Sequence, residues 1–199
     1  RFTLGLGADE NLNEHVVGKG WPAVEERHQM LDEAIDVIRQ RWRGEWCSHR
    51  GAHFTVEDAK IFDLPTRGID IFVAASGRES AELAIKAGGI CTTDPLPDLV
   101  RTFTSAGGDP ARTWTQIPLA WHEDEEQAVK LARERFRFGT PGWKVMAALP
   151  NPVNFDAATQ FVRDEDMAQR FPCGPDPERH AEGIRQYLEA GFEHVAVAY

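Results

Sequence analysis

Phe2-Thr-Leu-Gly-Leu-Gly7 reads as a buried strand, with apolar side chains at alternate positions and small residues between them. It leads straight into Ala8-Asp9-Glu10-Asn-Leu-Asn13-Glu14, where small residues let the chain turn and acids and amides then gather. A second stretch repeats the pattern: Ile69-Asp-Ile-Phe-Val-Ala-Ala75 is a short apolar strand, and Ser76-Gly77 opens a helix over 79–87. Between the two, Met30, Leu31, Ala34, Ile35, Ile38 and Trp42 recur at three- and four-residue intervals and predict one long helix over 21–42. Residues 45–63 alternate about Gly51 and read as an excursion hairpin. Further strands are expected at 89–93, 113–121 and 194–199, and helices at 97–106, 123–138 and 178–190. Residues 9–20 read as a loop, and 139–159 as an irregular Pro-rich stretch with one short helix. Strands alternating with helices imply a parallel sheet with the helices outside. A doubly wound sheet and part of a barrel both satisfy this order, and periodicity does not choose between them.

Composition narrows the function classes. Hydrophobic residues at 42% and charged residues at 27% describe an ordinary soluble globular chain. The net charge of −10 argues against a nucleic-acid partner, which needs clustered Lys and Arg. No apolar run approaches the ~18–20 residues of a membrane helix. Cys47, Cys91 and Cys173 are widely spaced without a CxxC pair, and read as free thiols in a reducing cytoplasm. The His residues show no HExxH pattern, so no protein metal site is expected. Trp42, Trp46 and Trp114 read as packing residues, and the charged face of 123–137 as a solvated surface with i, i+4 pairs.

Function in a parallel α/β protein collects at the C-terminal ends of the strands. Three such ends carry chemistry here. Glu10 and its neighbours could supply a general acid or base, or only an Asx-turn and helix cap. Ala74-Ala-Ser-Gly77 before a helix could bind an anion through backbone N–H groups, or Ser76 could merely cap the helix. Thr92 and Thr93 place hydroxyls at a third strand end, though Thr is also a common strand former.

In order along the chain, these stretches resemble one family. Phe2–Gly7 with Glu10-Asn-Leu-Asn-Glu14, then Arg50-Gly-Ala-His-Phe-Thr-Val56, Ala59-Lys-Ile-Phe-Asp-Leu-Pro65, Val73-Ala-Ala-Ser-Gly77 and Pro172-Cys-Gly-Pro-Asp-Pro-Glu-Arg-His180 are similar to the deazaflavin-dependent luciferase-like oxidoreductases, in their glucose-6-phosphate dehydrogenase-like group. The resemblance implies a (β/α)8 TIM barrel of which this chain supplies about strands 4 to 8, and hydride transfer with coenzyme F420. It implies Glu10 as the carboxylate that exchanges a proton, and Ala8, Asp9 and Asn13 against the deazaflavin. It places Ser76, Gly77, Glu79 and Ser80 around the cofactor phosphate and Thr92 at the substrate. It also implies a homodimer with a small-molecule substrate, in the cytoplasm.

The sequence departs from the family's pattern at several points. The family's catalytic His follows its second strand, a region this sequence does not include. Asp9 stands where the family has Gly, which adds a negative charge beside the ring. Two Lys that hold the sugar phosphate fall at Pro95 and Gln169, and a third basic position lies beyond Tyr199. Gly88-Gly89-Ile90 is about two residues shorter than the family's run. The substrate expected is therefore an alcohol or sugar-like compound other than glucose 6-phosphate. Alternatives of other kinds are an FMN-dependent monooxygenase on the same barrel and a non-catalytic flavin-binding barrel fragment. A core strand without any lead-in predicts that barrel strands precede it, in a protein of about 300–340 residues.

Overall fold

The computed structural model describes residues 2–8 and 10–199. Strand β1 (Thr3–Leu6) is followed by the one-turn helix α1 (Asn11–Glu14) and the long helix α2 (Val24–Arg41). The hairpin β2 (Cys47–Arg50) and β3 (Thr55–Ala59) comes next, then β4 (Asp70–Ala74), α3 (Arg78–Ala87), β5 (Ile90–Thr92), α4 (Pro97–Ser105) and β6 (Thr113–Pro118). The remainder is α5 (Glu125–Phe136), α6 (Trp143–Met146), α7 (Pro152–Thr159), α8 (Asp164–Arg170), α9 (Pro177–Glu189) and β7 (His194–Ala198).

One five-stranded sheet runs in the order β1-β4-β5-β6-β7, every neighbour pair parallel, and the hairpin forms its own antiparallel pair. Apart from that hairpin, spatial order follows chain order and never reverses. A doubly wound sheet must reverse at its switch point, whereas a barrel does not. The curled sheet is thus a run of successive barrel strands, which settles the alternative that periodicity leaves open.

The two faces of the sheet differ as a barrel requires. Ile71, Val73 and Ile90 pack outward on Leu31 and Ile35 of α2, Ala81, Ala84 and Ala87 of α3, and Phe103 of α4. Ile117 joins Val100, Tyr187 and Phe192 in a second outer cluster. Ala128, Val129, Ala132, Met167 and Cys173 form a third, tying α5 to α8. Side chains on the other face line the inside of the curl. Trp114 stacks on His194 with ring centroids 4.4 Å apart and meets Phe72 edge-on at 6.2 Å. Gly89 is required beside them, because a Cβ there would stand 2.7 Å from the Phe72 ring and 2.8 Å from Ile71 O.

The excursion hairpin is docked on α2 at two points. Near its tip, the Glu33 carboxylate accepts His49 Nε2–H at 2.8 Å and the N–H groups of His53 and Phe54 at 3.0 Å each. At its open end, the buried Arg41 donates Nη1–H to Cys47 O at 2.7 Å and to Ala59 O at 2.5 Å, the pair that closes the ladder. Trp42 packs on the outer core, while Trp46 is exposed and makes an edge contact with Phe62 at 6.0 Å.

Three local expectations are corrected. The 9–20 stretch is not all loop: Asn13 and Glu14 donate their N–H groups to Glu10 O and close the turn of α1. The 139–159 stretch holds two helices, α6 and α7. Among the described residues, the ion pairs of the 123–137 stretch reach other elements rather than i, i+4 neighbours: Arg133 to Asp164 at 3.4 Å, Arg137 to Asp156 at 2.7 Å and Glu125 to Arg179 at 2.9 Å. The charged residues Glu125, Glu126, Lys130, Arg133, Glu134 and Arg135 are exposed as expected, and α5 packs on α8 through its apolar side. Among the described residues no helix is long and apolar enough to cross a membrane.

Candidate cofactor and catalytic site

Strand register brings the chemistry-bearing ends together. Leu6 lies beside Val73, so the chain leaving β1 at Gly7–Ala8 and the chain leaving β4 at Ala75–Gly77 emerge side by side. Ala74 lies beside Cys91, which puts the end of β5 next in line.

In the first loop Ala8 packs against the outer core, and its carbonyl accepts Arg27 Nη1–H at 2.7 Å. The Arg27 guanidinium lies 3.8 Å from the centroid of the Trp21 ring. This cation on α2 was not legible in the sequence, because an Arg in the first turns of an amphipathic helix carries no signal of a partner nineteen residues back. Asp9 lies outside the described residues. Glu10 is extended (φ −113°, ψ 132°) and half-buried at the N-cap of α1. Its carboxylate is not spent on capping and accepts Asn13 Nδ2–H at 3.3 Å. A carboxylate has about four acceptor sites, so capacity remains for a proton or a hydroxyl.

In the second loop Ser80 is buried and its hydroxyl is fully occupied. Oγ accepts the N–H groups of Ser76 at 3.1 Å and Gly77 at 3.2 Å, and donates to Gly77 O at 2.9 Å. Ser80 therefore shapes the turn, and Ser76 and Gly77 are the residues that turn presents. Gly77 is the N-cap of α3 and brings no side-chain oxygen, so the first-turn amides face outward uncapped by a side chain. Glu79 is exposed in that first turn, where it complements the helix dipole but opposes an incoming anion. Arg78 pairs with Glu82 at 3.0 Å.

At the third strand end, Thr92 is buried and turned toward the helix layer. Its hydroxyl donates to Asp94 O at 2.8 Å and lies 3.5 Å from that of Thr115. Thr93 and Asp94 are the exposed residues there. Arg170, next to Gln169, pairs with Asp94 at 3.8 Å. Burial pushes the Tyr187 hydroxyl up to about 12, with the Asp94 charge adding to it, and that hydroxyl donates to Thr93 O at 3.4 Å.

One contributor was invisible in the sequence. The long segment between β6 and α9 reaches the first loop, where Asn11 N–H donates to Ala147 O at 2.9 Å and Asn11 Nδ2–H to Ala148 O at 3.0 Å. A contact between residues 137 apart leaves no periodic trace.

Comparison with known proteins agrees with this architecture. The family model for luciferase-like monooxygenases matches residues 1–194. An F420-dependent glucose-6-phosphate dehydrogenase of Microbacterium testaceum (strain StLB037) is 33% identical over 98% of this chain, and one of Nocardia farcinica (strain IFM 10152) is 32% identical over the same share. The chain spans 62% of the length of each of these relatives. Among solved structures, an F420-dependent secondary alcohol dehydrogenase in complex with an F420-acetone adduct superposes with a TM-score of 0.84 at 23% identity, over 98% of this chain and 63% of that one. The oxygenating constituent of 3,6-diketocamphane monooxygenase from Pseudomonas putida, in complex with FMN, superposes with a TM-score of 0.63 at 16% identity, over 99% of this chain and 64% of that one. The family match runs over nearly the whole chain and the sheet order agrees with it, and this chain belongs to the luciferase-like monooxygenase family.

Proposed function

We propose that this chain carries the carboxylate and phosphate-binding part of an F420-dependent oxidoreductase site, which transfers a hydride between coenzyme F420 and an alcohol or sugar-like substrate other than glucose 6-phosphate. One observation carries the reading: the Glu10–Asn13 loop and the uncapped N-terminus of α3 leave neighbouring strands side by side. Relatives named as F420-dependent, at about a third identity, support the choice of cofactor.

The residues present fit such a group. A Cβ on Gly5 would meet nothing within 4 Å, and one on Gly77 only Glu79 Oε2 at 3.9 Å, so both leave room for a ligand. The first-turn amides of α3, with Ser76 and Gly77 beside them, would hold a phosphate, which the helix N-terminus favours; Ser80 shapes that turn and Glu79 lies in it. Ala8 and Asn13 would border the deazaflavin ring, as would Asp9 by the family resemblance. A deazaflavin bound there would supply a hydride acceptor for the carbinol carbon, and Glu10 would take or return the hydroxyl proton. Thr92 acts at the substrate end through the backbone it fixes at Thr93 and Asp94. A phosphate dianion needs charge-assisted partners, yet Pro95 and Gln169 bring no charge and Arg170 is paired with Asp94. The enzyme works as a homodimer in the cytoplasm.

Anaerobic fluorescence titration of the protein with oxidised F420 tests the reading. Saturable binding in the micromolar range is expected, and no quenching there overturns it. The FMN reading rests on the fold shared with an FMN-bound monooxygenase. It wins if FMN binds more tightly than F420 and its reduced form is reoxidised by oxygen.

A further inference from the structure

The segment between β6 and α9 begins and ends at one place. Ala120 donates its N–H to Pro172 O and accepts the N–H of Gly174, both at 3.0 Å. In between, the segment reaches Asn11 in the loop after β1 through Ala147 and Ala148. Strands β4 and β5 separate β1 from β6, and all these strand ends point the same way. Residues 142–149 therefore strap across the end of the curled sheet on which Glu10 and Gly77 open.

Asn11 holds the strap with two separate donors. It is the first helical residue of α1, whose N–H has no partner inside the helix. That donor goes to Ala147 O, and Nδ2–H goes to Ala148 O. Its Oδ1 is buried without a partner, so the Ala148 bond is what orients the amide. The anchored end of the strap is buried at Ala147, while Trp143, Lys144 and Val145 are exposed. Asn11 is also the immediate neighbour of Glu10 in the chain.

We propose that Asn11 is a positioning residue that latches the 142–149 strap over the mouth and fixes the backbone at Glu10, so that proton transfer occurs in a chamber closed to water. Excluding water strengthens electrostatic contacts within such a chamber. The inference rests on Glu10 as the proton-transfer residue, but the latch itself can be read without any cofactor.

Two substitutions grade the latch. Asn11→Ala removes the Ala148 bond alone. Asn11→Pro removes both bonds and keeps the turn, since proline is accepted at the first helical position and Glu10 is already extended, as a residue before proline must be. In cofactor-free protein, hydrogen exchange over 142–149 should rise roughly fivefold in the first variant and roughly thirtyfold in the second, from the usual net worth of one and two hydrogen bonds. Exchange over α3 should not change. With F420, kcat should fall about tenfold in Asn11→Pro while the F420 Kd stays within about twofold, the pattern of a lost closing step. Unchanged strap exchange in Asn11→Pro overturns the latch. Kd and kcat worsening together overturns the positioning role, since the loop as a whole is then disturbed. If wild-type protein fails to bind F420 while strap exchange still rises in graded order, the latch stands and the cofactor reading falls.

Discussion

Glu10 and Glu33 are both half-buried acids on loops or helices of one sheet edge, yet their surroundings give them different work. Glu10 has one amide donor, Asn13, and a carboxylate left open for exchange. Glu10→Gln keeps its shape and the Asn13 contact but removes its basicity. Its kcat should fall by about 10²–10⁴, the usual worth of a general base, with F420 affinity unchanged in titration. Equal loss in both would make Glu10 a binding residue instead. Glu33 accepts three hydrogen bonds, from His49 and from the amides of His53 and Phe54, and its carboxyl is lowered to about 2 from an ordinary 4.5, chiefly by His49. Because the folded state binds that proton more weakly than the unfolded chain, docking of the hairpin is at full strength above about 4.5 and is lost as pH falls toward 2. Hydrogen exchange at His53 and Phe54 should accelerate through that window ahead of the α3 amides. In Glu33→Gln it should be fast at every pH, and a hairpin insensitive to both changes would mean that Arg41 alone docks it.

Among the elements, those with a strong period were legible and those made by distant partners were not. The helix expected over 21–42 is α2 (Val24–Arg41), and the strand expected over 69–75 is β4 (Asp70–Ala74). Each has an apolar stripe that records its own core face. The α8 helix (Asp164–Arg170) drew no expectation, because its capping is local while its single fully buried side chain, Met167, gives no period. The α1 turn was hidden for a related reason: it has no buried residue, and Asn11 bonds to the strap. The candidate site divides in the same way. Glu10 and Gly77 stand at strand ends, where the sequence shows them. The inward hydroxyl of Ser80 and the outward turn of Thr92 depend on which side of an element the side chain leaves. At α3 this yields a prediction. Ser80→Ala removes the acceptor of the part-buried Ser76 and Gly77 N–H groups, so it should cost about 1 kcal/mol, read as a lower melting temperature. It should also weaken F420 binding through the turn, whereas Ser76→Ala should leave stability unchanged. Equal effects of the two would remove Ser80 from its place as the organiser of that loop.

For the molecule as a whole, the sheet decides what the chain can do by itself. Among the described residues, strands β1 and β7 each pair with another strand on one side only, which leaves a sheet edge along the other side. The inner face between them is partly open: Trp114 is 42% exposed although it stacks on His194, and Gly5 faces empty space. In a closed barrel such positions are filled by layers of side chains from every strand. Unpaired edges are templates for pairing with another chain, and exposed apolar surface of this kind drives association. Neither is blunted here, since β7 reads His194-Val-Ala-Val-Ala198 without a charged residue or proline to discourage a partner. A polypeptide of residues 1–199 alone should therefore self-associate at micromolar concentration, and light scattering should show its mass rising with concentration. Association should bury Trp114 and shift its emission to shorter wavelength. Adding a lysine to the β7 edge, as in Val197→Lys, should oppose pairing because that side chain is already 44% exposed and its loss costs the outer core little. A monodisperse monomer with one cooperative melting transition would show instead that the outer helix layer holds the curled sheet with both its edges open.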